Sequence, residues 1–144
     1  GAAFPMKVSG FLLNLAKKDQ NLAINHMINW SLGTYSLLSG GQLIGTSLQN
    51  YLFRVMKNSQ KGSLFKDLNA CDNFKIKEEL FKEIQTPTCF ISGNKDIMTP
   101  ALNSKKLSDK FSNTEFNTIN NCGHFHIFEY PNKVRNIISK FIGE

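Results

Sequence analysis

Apolar positions recur at helical spacing through most of the chain up to about residue 85. Val8, Phe11, Leu12, Leu15 and Ala16 form one stripe between Met6 and Lys18. It predicts an amphipathic helix closing on Lys17 and Lys18, cations suited to a helix carboxyl end. Asp19 or Asn21 is placed to cap a second helix, whose apolar set is Leu22, Ile24, Met27, Ile28 and Trp30 and which ends near Gly33. Gly40-Gly41 then breaks the chain. Leu43, Ile44, Leu48, Tyr51, Leu52 and Val55 make the strongest helical stripe of this half. Ser63 to Leu68 reads as a short helix followed by irregular Asn69 to Phe74, and Ile76, Leu80, Phe81 and Ile84 give one more helix before Pro87. Nothing in this stretch alternates as a half-buried strand would.

After Pro87 the pattern changes. Cys89, Phe90 and Ile91 form an apolar run too short for a helix and bracketed by turn residues, which predicts a strand over Thr88 to Ser92. Thr99 is expected as the N-cap of the next helix and Pro100 as its first residue, with Leu107 and Phe111 on the inner face. Thr114 to Ile119 alternates weakly, with Phe116 and Ile119 inward, and reads as a second strand. Pro131 opens a final helix striped by Val134, Ile137, Ile138, Phe141 and Ile142. Strand, helix, strand, helix at this spacing implies a βαβα unit with parallel strands. Two strands are too few for a stable sheet, so partner strands are expected, from a missing amino-terminal half or from a second copy. Gly1-Ala2-Ala3-Phe4 reads as the end of a core strand running into a loop, which points the same way.

Composition narrows the classes. The 144 residues carry a net charge of +6, from 17 Lys and Arg against 11 Asp and Glu. The positives are scattered and do not alternate with aromatics, and arginines are few (Arg54, Arg135), so no nucleic-acid surface is expected. Cys71, Cys89 and Cys122 show no C-x-x-C and no metal-ligand spacing, which makes a reducing cytoplasm the default location. No apolar run approaches the about 20 residues of a membrane span, so no membrane partner is expected.

Candidate chemistry sits in two loops. Asp96 follows the first strand, at the carboxyl end where open parallel sheets place their sites. His124 follows the second, in Asn121-Cys122-Gly123-His124. Taken singly, Asp96 reads as a turn or capping carboxylate and His124 as an ordinary loop histidine. Together they suggest an acid that orients a base. His126 competes with His124 as the base, or could join it on a metal; a third ligand is wanting, since only His26 and dispersed carboxylates remain, so no metal is expected.

These two stretches resemble the α/β-hydrolase family. Pro87-Thr88-Cys89-Phe90-Ile91-Ser92-Gly93-Asn94-Lys95-Asp96-x-x-Thr99-Pro100 is similar to the family's acid-bearing strand and loop, and Gly123-His124-x-x-x-x-Glu129-x-Pro131 to its histidine loop and last helix. The resemblance implies a partial α/β-hydrolase fold of the α/β class: residues 1–4 ending a core strand, 5–73 a helical cap, and 74–144 the carboxyl-terminal part of the core. It implies a cofactor-free hydrolase of small-molecule, ester-like substrates through a Ser-His-Asp triad, with Asp96 the acid, His124 the base and Glu129 in a structural role. The family runs nucleophile, acid, histidine, so the serine is expected upstream of residue 1 and the chain by itself is expected to be inactive. Gly45-Thr46-Ser47-Leu48-Gln49 departs from G-x-S-x-G at its last position and sits within a helical stripe, so Ser47 is set aside. Trp30, Tyr51 and Phe53 are the candidates for substrate contact from the cap. Two other functions stay open: a non-catalytic or regulatory protein of this fold, and a non-hydrolytic relative such as a lyase, cofactor-free oxygenase or haloperoxidase.

Overall fold

The computed structural model describes residues 1–39 and 45–143. The expected break at Gly40-Gly41 and the expected helix start at Leu43 and Ile44 lie outside the described residues.

Helix α1 spans Gly10–Lys18 and α2 spans Gln20–Ser31. The first begins later than its apolar stripe, because the Ser9 hydroxyl accepts from Leu12 N–H and fixes the helix start there. Asp19 joins the two. Its N–H bonds back to the Leu15 carbonyl, closing α1, while its carboxylate accepts from Leu22 N–H at 3.0 Å, opening α2. Helix α3 is Thr34–Ser39 and α4 is Leu48–Lys57. Ser47 is the N-cap of α4, accepting from Asn50 N–H at 3.2 Å, so it ends a turn and does not lie inside a helix.

Helix α5 covers Ser63–Asn73, five residues beyond the expected short helix. The segment expected to be irregular is held helical by contacts far away in sequence: Val8 N–H donates to Asp72 Oδ1, Lys7 Nζ donates to the Asp72 carbonyl, and Leu68 packs with Leu12, Ala16 and Ala23. Burying side chains of this size stabilises by about 1.5–3 kcal/mol each, enough to override weak local propensity. Ile24, Ile28, Leu32, Leu48 and Leu52 form a second apolar cluster within the same helical layer. Helix α6 is a single turn, Leu80–Glu83.

Strands β1 (Thr88–Gly93) and β2 (Thr114–Ile119) pair in parallel, from Thr88 opposite Thr114 to Gly93 opposite Ile119. Helix α7 (Ala101–Ser108) connects them, and α8 (His126–Glu129) and α9 (Pro131–Ile142) follow. Val134 of α9 packs with Ile119 and Cys122. The parallel register sets both strand ends level, so the loops carrying Asp96 and His124 leave the sheet side by side. Asn94 N–H donates to the Ile119 carbonyl, Lys95 N–H to the Cys122 carbonyl and Asn121 N–H to Asn94 Oδ1, which staples the two loops together. No helix among the described residues is long and apolar enough to cross a membrane.

Candidate active site

The site begins where β1 runs out. Asp96 Oδ2 lies 2.9 Å from His124 Nδ1. The same carboxylate accepts from Thr99 twice, its N–H on Oδ1 at 2.8 Å and its hydroxyl on Oδ2 at 2.7 Å. The Asp96 side chain is fully buried and that of His124 is 31% exposed. Burial by itself would raise the Asp96 pKa; the bonds from His124 and Thr99 outweigh it and hold the carboxyl below its ordinary value. An ionised Asp96 requires the proton on Nδ1, so in the neutral ring Nε2 carries the free lone pair.

Thr99 is not the helix cap expected of it. Pro100 occupies the N-cap of α7, and the Thr99 hydroxyl, 3.1 Å from His124 Nδ1, joins the Asp96–His124 contact. A Thr-Pro pair at a helix start carries the same local signal for either use, so the sequence could not separate them.

The histidine loop is held by what it touches. His124 N–H donates to the Ser31 carbonyl at 2.5 Å. A Cβ on Gly123 would overlap that carbonyl oxygen and fall 2.6 Å from Gly33 N, so only glycine permits the approach. Glu129, 2% exposed, ties the loop to the helical layer: Oε1 accepts from Gly123 N–H at 2.9 Å, and Oε2 accepts from Gly33 N–H at 2.8 Å and the Ser36 hydroxyl at 2.9 Å. The sequence shows Glu129 beside its helix, but Gly33 and Ser36 lie more than 90 residues away and give no local signal.

Other nucleophilic and basic candidates separate from the pair. Burial, with Glu129 and Asp96 nearby, pushes the Cys122 thiol up to about 12, so it stays protonated. His126 is 8% exposed, and burial, with His124 nearby, lowers its pKa. It stands 6.2 Å from His124, ring to ring. Among the described residues no three His, Cys, Asp or Glu side chains gather as a metal site would require.

A cavity of about 700 Å³ opens beside His124, and Trp30 lines it. Tyr51 and Phe53 lie elsewhere. Tyr51 packs against Phe128 at 5.6 Å with the rings tilted by 55°, and Phe53 packs on the Ile24–Leu52 cluster with Lys57 over its ring.

No protein-family model matches the chain and no curated protein matches it. Solved structures do. An α/β-hydrolase enzyme from a Medee basin deep-sea metagenome library superposes with a TM-score of 0.71 at 23% identity, covering 96% of this chain and 53% of that one. The chain carries part of the α/β-hydrolase fold. A thermophilic esterase from Thermogutta terrifontis matches with a TM-score of 0.78 at 12% identity, over 96% of this chain and 52% of its own. A bromoperoxidase from Bacillus anthracis matches equally well, 0.78 at 10% identity, over 93% and 48%. At these identities the likeness is one of fold. The chain spans about half the length of the α/β-hydrolases it matches.

Proposed function

We propose that Asp96 and His124 are the acid and base of a Ser-His-Asp hydrolase centre acting on carboxylic esters, with the helices before residue 74 as its cap and the nucleophile supplied by residues outside these 144. The observation that supports this most is the His124 Nδ1 to Asp96 Oδ2 bond at 2.9 Å, with His124 lining the cavity. Nε2 would take the nucleophile's proton as the hydroxyl attacks the ester carbonyl, and return it to the departing alcohol. A water activated by the same nitrogen would then release the acid. Asp96 stays ionised throughout and stabilises the imidazolium as it forms. The bromoperoxidase neighbour supports a second reading, a haloperoxidase using the same pair.

The test is turnover of p-nitrophenyl esters by a protein uniting this chain with a nucleophile-bearing first half. His124→Ala should lower kcat/KM by on the order of a thousandfold or more, and the 144-residue chain alone should show no turnover. Activity of His124→Ala within tenfold of the parent would sink the assignment. Turnover that appears only with halide and peroxide would select the second reading.

A further inference from the structure

We infer that Asn94 is a positioning residue: its side-chain amide clamps the turn before His124 to the loop of Asp96 and so sets the distance between the two. That the pair then serves ester hydrolysis rests on the function proposed above; the clamp itself does not.

The amide bonds with both of its ends. Its Oδ1 accepts from Asn121 N–H at 2.7 Å, which fixes the orientation of the group and turns Nδ2 toward Asn120 Oδ1, 3.2 Å away. The main chain of the same loop adds Asn94 N–H to the Ile119 carbonyl at 3.1 Å and Lys95 N–H to the Cys122 carbonyl at 2.8 Å. Asp96 follows Asn94 by two residues and His124 follows Asn121 by three, so the clamp stands beside their 2.9 Å contact on both loops.

The turn it grips has a conformation that needs support. Among the described residues Asn121 is the one position other than glycine with a positive φ, 61°. Asparagine tolerates the left-handed region better than most residues, but the region stays sparsely populated unless the surroundings hold it. Here Asn94 holds the Asn121 N–H, and the Tyr130 hydroxyl donates to the Asn121 carbonyl at 3.4 Å. The same carbonyl abuts the helical layer, where a Cβ on Gly33 would fall 2.4 Å from its oxygen. The turn is held between the acid loop and that layer, and His124 hangs from it. These bonds are exposed, so each adds little to folding stability. Their effect is on geometry, where a shift of about 1 Å can cost up to about a hundredfold in rate.

That separation of effects is what the experiment reads. Solvent exchange of the His124 Nδ1 proton, which the bond to Asp96 protects, is measured by NMR on the 144-residue chain. The backbone amide of Ile28, buried in the helical layer, is the reference. Asn94→Ala should speed Nδ1 exchange by about tenfold and leave Ile28 as in the parent, whereas general loosening would speed both. Asn94→Asp keeps the acceptor for Asn121 N–H, and Asn120 can turn its own NH2 toward the second oxygen, so this variant should restore most of the protection. In a protein uniting this chain with a nucleophile-bearing first half, Asn94→Ala should lower kcat for p-nitrophenyl esters by about tenfold with KM within about twofold of the parent. Should Asn94→Ala fail to fold, Tyr130→Phe releases the turn from its other side and should speed Nδ1 exchange by about threefold with Ile28 unchanged. Unchanged Nδ1 exchange in these variants, equal acceleration at Ile28, or no rescue by Asn94→Asp would overturn the inference. Selective loss of Nδ1 protection, without ester turnover by the united parent, would leave the clamp standing and remove the hydrolase reading. Turnover by the united parent with Nδ1 exchange unchanged in Asn94→Ala would do the reverse.

Discussion

Three donors converge on one carboxylate at the residue scale. His124 Nδ1, Thr99 N–H and the Thr99 hydroxyl all bond to Asp96, whose pKa they hold below 3.8, its ordinary value. A lowered carboxyl pKa contributes stability that is fully present above the unfolded value and is lost as pH falls through the folded one. Thr99→Val keeps the side-chain shape and removes the hydroxyl, so it should raise the Asp96 pKa and cost about 1 kcal/mol at neutral pH. The deficit should shrink as pH falls below about 3.8 and close only below the lower folded value, where Asp96 is protonated in both states. Urea unfolding at neutral pH and along a descending acid series reads both; a pH-independent deficit would mean that Thr99 acts through packing alone. Asp96 and His124 stand out in the sequence because each follows a strand-like run, 28 residues apart, an interval that one helix and one strand fill. The role of Thr99 was not legible, since its local signal is that of a helix cap.

Elements that stand alone in the pattern were legible and those held by distant contacts were not. The strand after Pro87, the strand at Thr114 and the helix opened by Pro131 follow from local periodicity and turn residues. The run from Asn69 to Asn73 looks irregular in sequence and is the end of α5, because α1 packs against α5 and Lys7 and Val8 bond to Asp72. Glu129 shows how the elements are locked together. It bonds the histidine loop, through Gly123, to the α2–α3 connection, through Gly33 and Ser36. Glu129→Gln places an NH2 group against one of these donors and leaves at least one buried partner unsatisfied. That should destabilise the chain by about 2–3 kcal/mol in urea unfolding. It should also broaden the His124 ring signals in NMR spectra, because the loop loses its tie. A variant as stable as the parent with unchanged His124 signals would show that the direct contacts of Gly123 and His124 with Ser31 suffice.

At the scale of the whole molecule, the described residues form a helical layer and a two-stranded parallel sheet, with the Asp96–His124 pair where the strand ends meet that layer. Helical content and the βα alternation were open to the sequence; the cavity was not, because its walls come from elements that periodicity cannot arrange in space. Both strands of the sheet and both catalytic candidates lie within residues 88–124, so the geometry of the pair belongs to this stretch of the chain. The central claim is that Asp96 fixes the proton on His124 Nδ1 and frees Nε2. Long-range ¹H–¹⁵N correlation spectra of the labelled chain, recorded at about pH 8, read the tautomer at each ring nitrogen. The account predicts His124 protonated at Nδ1 and bare at Nε2, with Asp96→Asn shifting it toward the other tautomer. A His124 protonated at Nε2 in the parent chain would contradict it.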